Sequence, residues 1–372
     1  MSRFQFEIAT AADDDGLRCV LAATPMPGPV RVRFCREPSY FAAAVVDGQW
    51  RQVIVCRDSQ TQKIVGFGTR SIREMYVNGA VRSVGYLSNL RLLPSYRSQG
   101  LVARGYRYFR ELHEDGRANL YLTTIAAGNQ RALSLLTAGR ANLPGYHCLG
   151  NYHTLAIPLA NCRSTSPVPD CNLEIRSARK DDLNSIVEFL NDHGPRRQFF
   201  PCYDAGNFFH DHSTFRNLQP ADILLAFRDG QLVGTLGGWD QHPFRQTVVD
   251  GYEQGMRWKR PFYNAWAMVC GRPCLPQPGT AFRYLVASIP LVAQDDPQIL
   301  HALLGRLSVL KQQGPCQHLL FGVHDSDPLL PHLKLLAAED YLTHAYLVCW
   351  EDGEAVREHL DDRPPYMELG CL

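Results

Sequence analysis

The chain has 372 residues, of which 45% are hydrophobic and 20% are charged, and its formal net charge is +1. This length suits two domains of roughly 150–200 residues better than one, and the composition is that of an ordinary globular protein. A nearly neutral chain has no overall field that attracts nucleic acid or an anionic membrane, so neither is predicted as a partner.

The sequence carries no pattern of export, membrane insertion or metal binding. Residues 1–16 are acidic and lack the apolar core of a signal peptide, and no apolar run approaches the roughly 20 residues of a membrane helix. We therefore expect a cytoplasmic protein whose twelve cysteines are reduced and mostly buried. Cys270 and Cys274 lack a second pair with zinc-site spacing. His193 with His210-Asp211-His212 lies in a polar, Phe-rich stretch, so we predict no metal site.

The first 160 residues alternate between strand and helix patterns. Asn78-Gly79 is a strong hairpin signal between two apolar runs. In chain order, the spacing of apolar residues and the turn residues predict a strand at 4–10, helices at 13–21 and 38–46, strands at 53–56 and 63–70, a hairpin of 72–77 with 81–87, a strand at 120–124, a helix at 129–138 and a strand pair at 146–149 and 152–157.

The stretch 87–112 combines a strand, a glycine loop and a helix. Pro94 ends the strand because it has no N–H, and apolar residues at one-face spacing follow in 101–112. Gly100 lets the backbone approach a phosphate, and Arg97 can add charge-assisted hydrogen bonds. The first amides of the helix have no partners of their own, and the helix dipole favours an anion there. This pattern predicts a pyrophosphate site; the alternative is an ordinary turn with a solvated Arg97.

The segment Leu92–Ala103, LLPSYRSQGLVA, resembles the acyl-CoA signature of the GNAT superfamily of N-acyltransferases. That signature is Arg/Gln-x-x-Gly-x-Gly/Ala after a Pro-x-Tyr-Arg turn, and Val102 stands where Gly or Ala is usual. The stretch 129–132 also resembles the Asn-x-x-Ala that opens the next GNAT helix. The resemblance implies acetyl-CoA as the co-substrate and implies contacts to it from Leu90, Arg91, Leu92, Arg97, Ser98, Gln99, Gly100, Leu101, Val102 and Asn129.

A second half with a similar order of elements follows a Pro- and Ser-rich stretch. We predict a GNAT acyl-CoA-binding domain at 1–160, a linker at 161–172 and a degenerate GNAT-like domain at 173–372. The predicted fold class is α+β (mixed α/β), each domain having a mostly antiparallel central sheet flanked by helices. In chain order, the second half predicts a strand at 173–177, a helix at 181–191, a hairpin of 223–227 with 232–239, a strand at 282–289, a helix at 300–310 and strands at 319–323 and 345–350.

The second half lacks the residues that would hold a diphosphate. Its stretch 290–297 has no Gly and no Arg, and Asp295 and Asp296 stand where cations are needed. We therefore expect this half not to bind CoA. The long aromatic segment 241–279 has two open interpretations, a cover over the sheet or between domains, and a part in substrate recognition.

Direct acyl transfer to an amine requires a held donor, a proton acceptor and a stabilised oxyanion. The family implies backbone N–H groups of Leu90–Leu92 for the oxyanion, and often a Glu or Asp of the central strand as the base. Here Ser88 and Asn89 occupy the base positions, and neither is basic near neutral pH. Glu74 on the preceding strand is the candidate base; its alternative role is a solvated edge charge. The resemblance implies one more candidate, since in some multi-domain relatives the terminal carboxylate is the base, and the stretch 366–372 could fold back to the first domain.

The proton donor for the departing thiolate is also open. The family often places a Tyr seven residues after the Asn of the second motif, and this chain has Leu136 there. Tyr86, Tyr96 and Tyr121 are candidate acids, although a tyrosine at such positions is more often part of the core with a polar tip.

The sequence therefore predicts an N-acyltransferase that moves an acetyl group from acetyl-CoA to a primary amine of a small molecule or peptide. One alternative is a non-catalytic acyl-CoA sensor or scaffold, which the absent strand carboxylate and the absent Tyr favour. Another is an aminoacyl transferase that uses charged tRNA, against which the neutral charge counts. The acceptor and the oligomeric state stay open.

Overall fold

The computed structural model describes residues 2–139, 143–163, 172–269 and 274–372. The elements of the first half are β1 (Phe4–Ile8), α1 (Asp14–Ala22), β2 (Val30–Cys35), α2 (Tyr40–Ala43), β3 (Trp50–Asp58), β4 (Lys63–Val77), β5 (Ala80–Leu92), α3 (Leu101–His113), β6 (Tyr121–Ala126), α4 (Gln130–Leu136) and β7 (Gly145–Pro158).

The second half contributes eight strands and five α-helices within the described residues. Its elements are β8 (Leu173–Ser177), α5 (Leu183–His193), β9 (Phe200–Pro201), β10 (Ile223–Arg228), β11 (Gln231–Trp239), β12 (Gln246–Tyr252), α6 (Gln254–Val269), β13 (Tyr284–Val292), α7 (Pro297–Leu310), β14 (His318–His324), α8 (Leu330–Lys334), β15 (Glu339–Cys349) and α9 (Glu351–Glu358).

Within the described residues, one thirteen-stranded sheet crosses the whole molecule. Its order is β1-β3-β4-β5-β6-β15-β7-β14-β13-β11-β10-β8, with β9 added to β4. Two pairs are parallel, β5 with β6 and β13 with β14, and the other pairs along this path are antiparallel. The predicted mixed α+β class, with a mostly antiparallel sheet flanked by helices, is confirmed.

The two halves exchange strands at the centre of this sheet. β15, from the second half, lies between β6 and β7 of the first half, and β7 pairs on its other side with β14. A chain boundary at 161–172 therefore does not coincide with a break in the sheet. Residues 161–163 of the predicted linker form a single 3-10 turn, and residues 164–171 lie outside the described part of the chain.

Most local predictions hold, and the exceptions have local causes. The Asn78-Gly79 hairpin joins β4 to β5, with both turn residues at positive φ. The predicted strand pair at 146–157 is one strand, β7, which passes through Gly150 (φ 121°) opposite a register shift in β15. The segment 241–279 contains β12, which pairs with β2 as a separate two-stranded sheet, and α6.

The helices pack on the sheet through the faces that the sequence pattern indicates. Four leucines of α7 (Leu300, Leu303, Leu304 and Leu307) are buried against strands of the second half, and Tyr106 and Phe109 of α3 are buried in the first. No described helix is long and apolar enough to cross a membrane.

Candidate functional site

The parallel strands β5 and β6 separate and leave a gap in the sheet, which we call the first fork. Their Cα pairing consists of Gly85 with Tyr121 and Tyr86 with Leu122, and Thr123 Oγ1 then donates to the Leu87 carbonyl oxygen at 2.8 Å. Farther along β5, Asn89 has a positive φ of 54°, beside a register shift between β5 and β4. Beyond this point the edge of β5 that faces β6 carries backbone groups without strand partners.

The loop after β5 delivers the start of α3 to this gap. Pro94 begins a 3-10 turn, Ser98 takes a φ of 73°, and Gly100, with a φ of 67°, precedes the first residue of α3. Apart from the two chain neighbours of Gly100, no heavy atom of the described residues lies within 4 Å of the place where a side chain would begin, and none of their side chains caps the start of α3. The amides of the helix start are therefore available to an anion.

Two arginines lie at this loop. Arg97 is exposed and its Nε donates to the Leu92 carbonyl oxygen at 3.3 Å, which folds the guanidinium back over the end of β5. Arg131, on α4, donates from Nη2 to the Ser98 hydroxyl oxygen at 3.5 Å. The sequence analysis missed Arg131, although it lies inside the Asn-x-x-Ala stretch. Together the two side chains add positive charge to the anion-binding helix start.

Of the other residues predicted to bind the cofactor, some are exposed and others pack against the rest of the protein. Leu90 is exposed on β5, and Gln99 is exposed in the loop. Leu101 and Val102 pack into hydrophobic clusters beneath α3, so the Val102 side chain has a place in the protein despite the departure from the family pattern. Arg91 donates to the Thr24 carbonyl oxygen at 3.4 Å and connects β5 to the segment after α1.

Asn129 serves α4 as its N-cap. Its Oδ1 accepts a hydrogen bond from the Ala132 amide at 3.2 Å, which satisfies one of the free donors at the helix start. This contact fixes α4, and with it Arg131, beside the loop that follows β5.

The structure does not bring Glu74 or Tyr96 to the first fork. Glu74 is exposed on β4 and pairs with Ser83 of β5. Ser83 lies four residues, or about 13 Å, before Leu87, where β5 and β6 separate. The Tyr96 ring packs edge-on against Phe4, and its hydroxyl is hydrogen-bonded to Asp58 on the far side of the loop.

Tyr86, by contrast, is the last residue of β5 that pairs with β6. Its hydroxyl lies 3.0 Å from the hydroxyl of Thr124 on β6, and the side chain is buried. Burial raises the pKa of Tyr86 to about 12, although the contact with Thr124 lowers it. Tyr121 is held away from the fork, because its hydroxyl lies 2.8 Å from Nδ1 of His113.

A buried charged cluster that local sequence patterns do not reveal lies beside the first fork. Asp47 accepts from Arg36 at 2.9 Å and is also bonded by Arg245 of the second half. The Arg36 guanidinium lies over the Tyr40 ring, and the Tyr40 hydroxyl is 2.9 Å from Thr69, which pairs with Ser88 of β5. Arg245 also donates to the Leu372 oxygen at 3.2 Å, so the cluster adjoins the base positions of the central strand and also contacts the segment 366–372.

The second half contains a matching fork between β13 and β14, and the protein's own chain fills it. Ile289 has a φ of 45° and stands three residues before the end of β13, as Asn89 does in β5. The Ile289 amide donates at 3.0 Å to Glu368, whose carboxylate also accepts from the Tyr366 hydroxyl at 2.7 Å. Burial raises the pKa of Glu368 to about 7, while the Tyr366 hydrogen bond and the Ile289 amide act in the opposite direction.

The loop after β13 is closed by ion pairs. Arg197 donates to Asp295 at 2.5 Å and Arg228 donates to Asp296 at 3.3 Å, so each of the two acids that replace the glycine loop has a cationic partner within the protein. Arg197 also lies 3.3 Å from Asp327. The cavity that remains has a volume of about 20 Å³, enough for one water molecule and far too small for an acyl-CoA. The buried Glu368 had a sequence signal, an acid within the apolar run 366–372, which the sequence analysis did not use.

The histidine pattern singled out in the sequence does not gather into a site. His193 and His210 each bond a backbone carbonyl oxygen, of Phe189 and Gly206 respectively. Among the described residues, one group has metal-ligand spacing: His147, Cys349 and Glu354. Arg357 already bonds Glu354, and burial raises the pKa of the Cys349 thiol to about 12. Cys270 lies outside the described residues.

Comparisons of sequence identify no relative of this chain: no family model matches it, and no curated protein does. The structure is similar to that of a GCN5-related N-acetyltransferase from Sphaerobacter thermophilus, with a TM-score of 0.57 at 13% identity, over 100% of this chain and 99% of that one.

Two other solved structures match almost as much of this chain. N-myristoyltransferase from Saccharomyces cerevisiae, with bound myristoyl-CoA, has a TM-score of 0.59 at 13% identity, over 94% of this chain and 79% of that one. The glucosamine N-acetyltransferase region of a fungal multi-domain β-N-acetylglucosaminidase has a TM-score of 0.58 at 15% identity, over 94% of this chain and 38% of that one. The chain therefore has the fold of the GCN5-related N-acetyltransferases.

Proposed function

We propose that the protein is an N-acyltransferase that binds an acyl-CoA at the first fork and transfers the acyl group directly to a primary amine. The observation that carries this proposal is the contrast between the two forks. At the first, the start of α3 is uncapped, Gly100 faces open space and Arg97 is exposed. At the second fork, the Glu368 carboxylate accepts a hydrogen bond from the Ile289 amide of the bulged strand, and Arg197 is paired with the carboxylates of Asp295 and Asp327.

The fold supports a CoA thioester as the donor. The solved structures with this fold include proteins named acetyltransferases and an N-myristoyltransferase with bound myristoyl-CoA. The acetyl group is our choice among acyl chains, and it rests on the resemblance of the segment 92–103 to the GNAT signature. In this proposal the diphosphate lies against the helix start and Arg97, and the pantetheine arm runs between β5 and β6.

The separated edge of β5 supplies the oxyanion site in this mechanism. Backbone N–H groups of Leu90–Leu92 that no longer face a paired strand point at the thioester carbonyl. They are fixed before the substrate binds, so they stabilise the developing negative charge without reorganisation. The positive φ at Asn89 produces the bulge that turns this edge toward the gap.

Tyr86 acts as a hydrogen-bond donor to the leaving sulfur. A free thiol has a pKa of about 8.5, whereas the pKa of Tyr86 is raised to about 12 by burial. Complete proton transfer to the thiolate would therefore be uphill by roughly 3.5 pK units, or about 5 kcal/mol. A phenol that keeps its proton still stabilises a neighbouring thiolate through a charge-assisted hydrogen bond.

The acceptor amine reaches the fork in its neutral form with little help from a carboxylate. Ser88 and Asn89 occupy the base positions of β5, and Glu74 lies elsewhere. Arg36 and Arg245 both bond Asp47, and Arg245 also donates to the Leu372 oxygen, so both guanidinium groups already have partners within the protein. Because the described strand β5 has no carboxylate at these positions, bulk water takes the proton of the amine in this proposal.

A non-catalytic acyl-CoA sensor is the second candidate, and the absence of a carboxylate from the described central strand β5 favours it. Turnover separates the two. The full chain is incubated with acetyl-CoA and a panel of amines (peptide N-termini, lysine, polyamines, amino sugars), and release of free CoA is followed. Amine-dependent release supports the enzyme; tight CoA binding without release on any amine supports the sensor.

A further inference from the structure

Helix α6 exposes large apolar side chains on the outside of the molecule. Trp258 is 77% exposed, Phe262 is 79% exposed and Trp266 is 47% exposed. With side-chain areas of roughly 150–250 Å² each, these three aromatics alone present roughly 400 Å² to solvent. Val269, which is 88% exposed, extends the surface. A patch of this size is at the upper end for an isolated monomer and indicates an interaction site.

The apolar surface lies on the side of α6 that points away from the protein. At 100° per residue, Trp258, Phe262, Trp266 and Val269 fall within about 80° of one another. The opposite side holds the helix on the body: Arg260 donates to the Leu275 carbonyl oxygen at 3.2 Å, and Ala267 is fully buried. The exposed aromatics are therefore not a poorly packed core face; the attachment of the helix directs them outward.

Cations flank this surface. Arg257 and Lys259, both exposed, lie about 100° to either side of Trp258 around the helix. The sequence from 254 to 294 contains no Asp or Glu. The chain as a whole is nearly neutral, and this local excess of positive charge is averaged out in the net charge of +1 on which the sequence analysis relied.

The position of α6 relates it to the first fork. The helix begins beside the two-stranded sheet, where the Glu253 amide donates to the Pro29 carbonyl oxygen at 3.1 Å next to β2. β2 in turn precedes the Arg36 side chain that bonds Asp47. The exposed surface of α6 and the charged cluster at the fork are thus joined through one small sheet.

We propose that α6 binds the protein peripherally to an anionic lipid surface. A helix with an outward aromatic and aliphatic ridge between two cations matches the geometry of an interfacial helix, whose apolar side enters the headgroup region while its cations meet lipid phosphates. Pairing with a second copy through the same face brings Arg257 and Lys259 of two helices together, and Glu253, one residue before α6, is the acid nearest to them in the sequence.

The test is co-sedimentation of the full chain with vesicles of phosphatidylcholine containing 30% phosphatidylglycerol, compared with vesicles of phosphatidylcholine alone. We expect at least tenfold stronger partition onto the anionic vesicles, with a blue shift of tryptophan emission. The double variant Trp258→Ala/Phe262→Ala is expected to lose binding about tenfold or more, and Arg257→Glu/Lys259→Glu to lose the preference for the anionic lipid. Leu335→Ala, at an equally exposed leucine after α8, is the matched control.

The far-UV circular dichroism spectrum serves as the readout of folding for each variant. The proposal is overturned if the parent protein does not sediment with anionic vesicles at low salt, or if the aromatic double variant sediments as the parent does. It is also overturned if the parent is a dimer in the absence of lipid and the double variant is a monomer, since that result assigns the face to a second copy.

Discussion

Glu368 gives a quantitative test of how the second fork is filled. Burial raises the pKa of its carboxyl from 4.5 to about 7. A difference of about 2.5 pH units corresponds to about 3 kcal/mol between the protonated and ionised forms. Because the pKa in the folded state lies above the unfolded value, the stabilising contribution is complete below about pH 4.5 and is lost as the pH rises through 7.

We therefore predict that Glu368→Gln, in which a neutral amide replaces the acid, loses up to about 3 kcal/mol less of its free energy of unfolding between pH 5 and pH 8 than the parent protein does. The amide oxygen still accepts from Ile289 and Tyr366, so the variant folds. The measurement is the free energy of unfolding in urea at both pH values, read by tryptophan fluorescence. Glu188→Gln, at an exposed carboxylate on α5, is the matched control and leaves the slope unchanged.

The pH dependence of the variant must be compared with that of the parent, because buried histidines change the free energy of unfolding with pH in the opposite direction. Burial lowers the pKa of His324, so its contribution to stability is lost as the pH falls. If parent and Glu368→Gln show parallel free energies of unfolding from pH 5 to pH 8, the carboxylate is not the buried group described here, and the explanation of the filled fork is refuted.

The remaining predictions concern the first fork. Arg97→Ala is expected to weaken CoA binding about ten- to a hundredfold through loss of a charge-assisted hydrogen bond, and Gly100→Val is expected to weaken it at least as much. Calorimetry measures the affinity, and Arg107→Ala, on the exposed side of α3, is the control. Unchanged affinity in both variants contradicts the assignment. The same titration is expected to give one CoA per chain, and a stoichiometry of two contradicts the filled second fork. Tyr86→Phe is expected to lower kcat about ten- to a hundredfold with CoA affinity unchanged, whereas a loss of affinity alone would assign it a binding role. On an identified amine, kcat/KM is expected to rise toward the pKa of the free amine, near 10.4 for a lysine-like amine, and a profile flat from pH 6 to 9 argues for a strong internal base.

The sequence predicts those parts of the site whose conformation is determined by residues close together in the chain. Pro94, Gly100 and the apolar spacing of α3 act within a single turn of chain, so a strand, a loop and a helix start follow from local conformational preferences. The charged cluster does not follow from them, because Asp47 and Arg245 are 198 residues apart. Arg131 shows an intermediate case: its motif was visible, but its contact with Ser98 depends on how α4 is oriented.

Because the two halves exchange β7 and β15, they depend on one another for stability, although their two forks have different roles. β15 completes the backbone hydrogen bonding of β6 on one side and of β7 on the other, and β6 is a wall of the first fork. Without residues 173–372, one edge of β6 and both edges of β7 would lose their partners, which leaves unpaired backbone groups beside the site. The acyl-CoA binding that we propose for the first half would therefore depend on β14 and β15, even though Glu368 and Arg197 close the second fork. The second half contributes Arg245 to the charged cluster and β15 to the sheet.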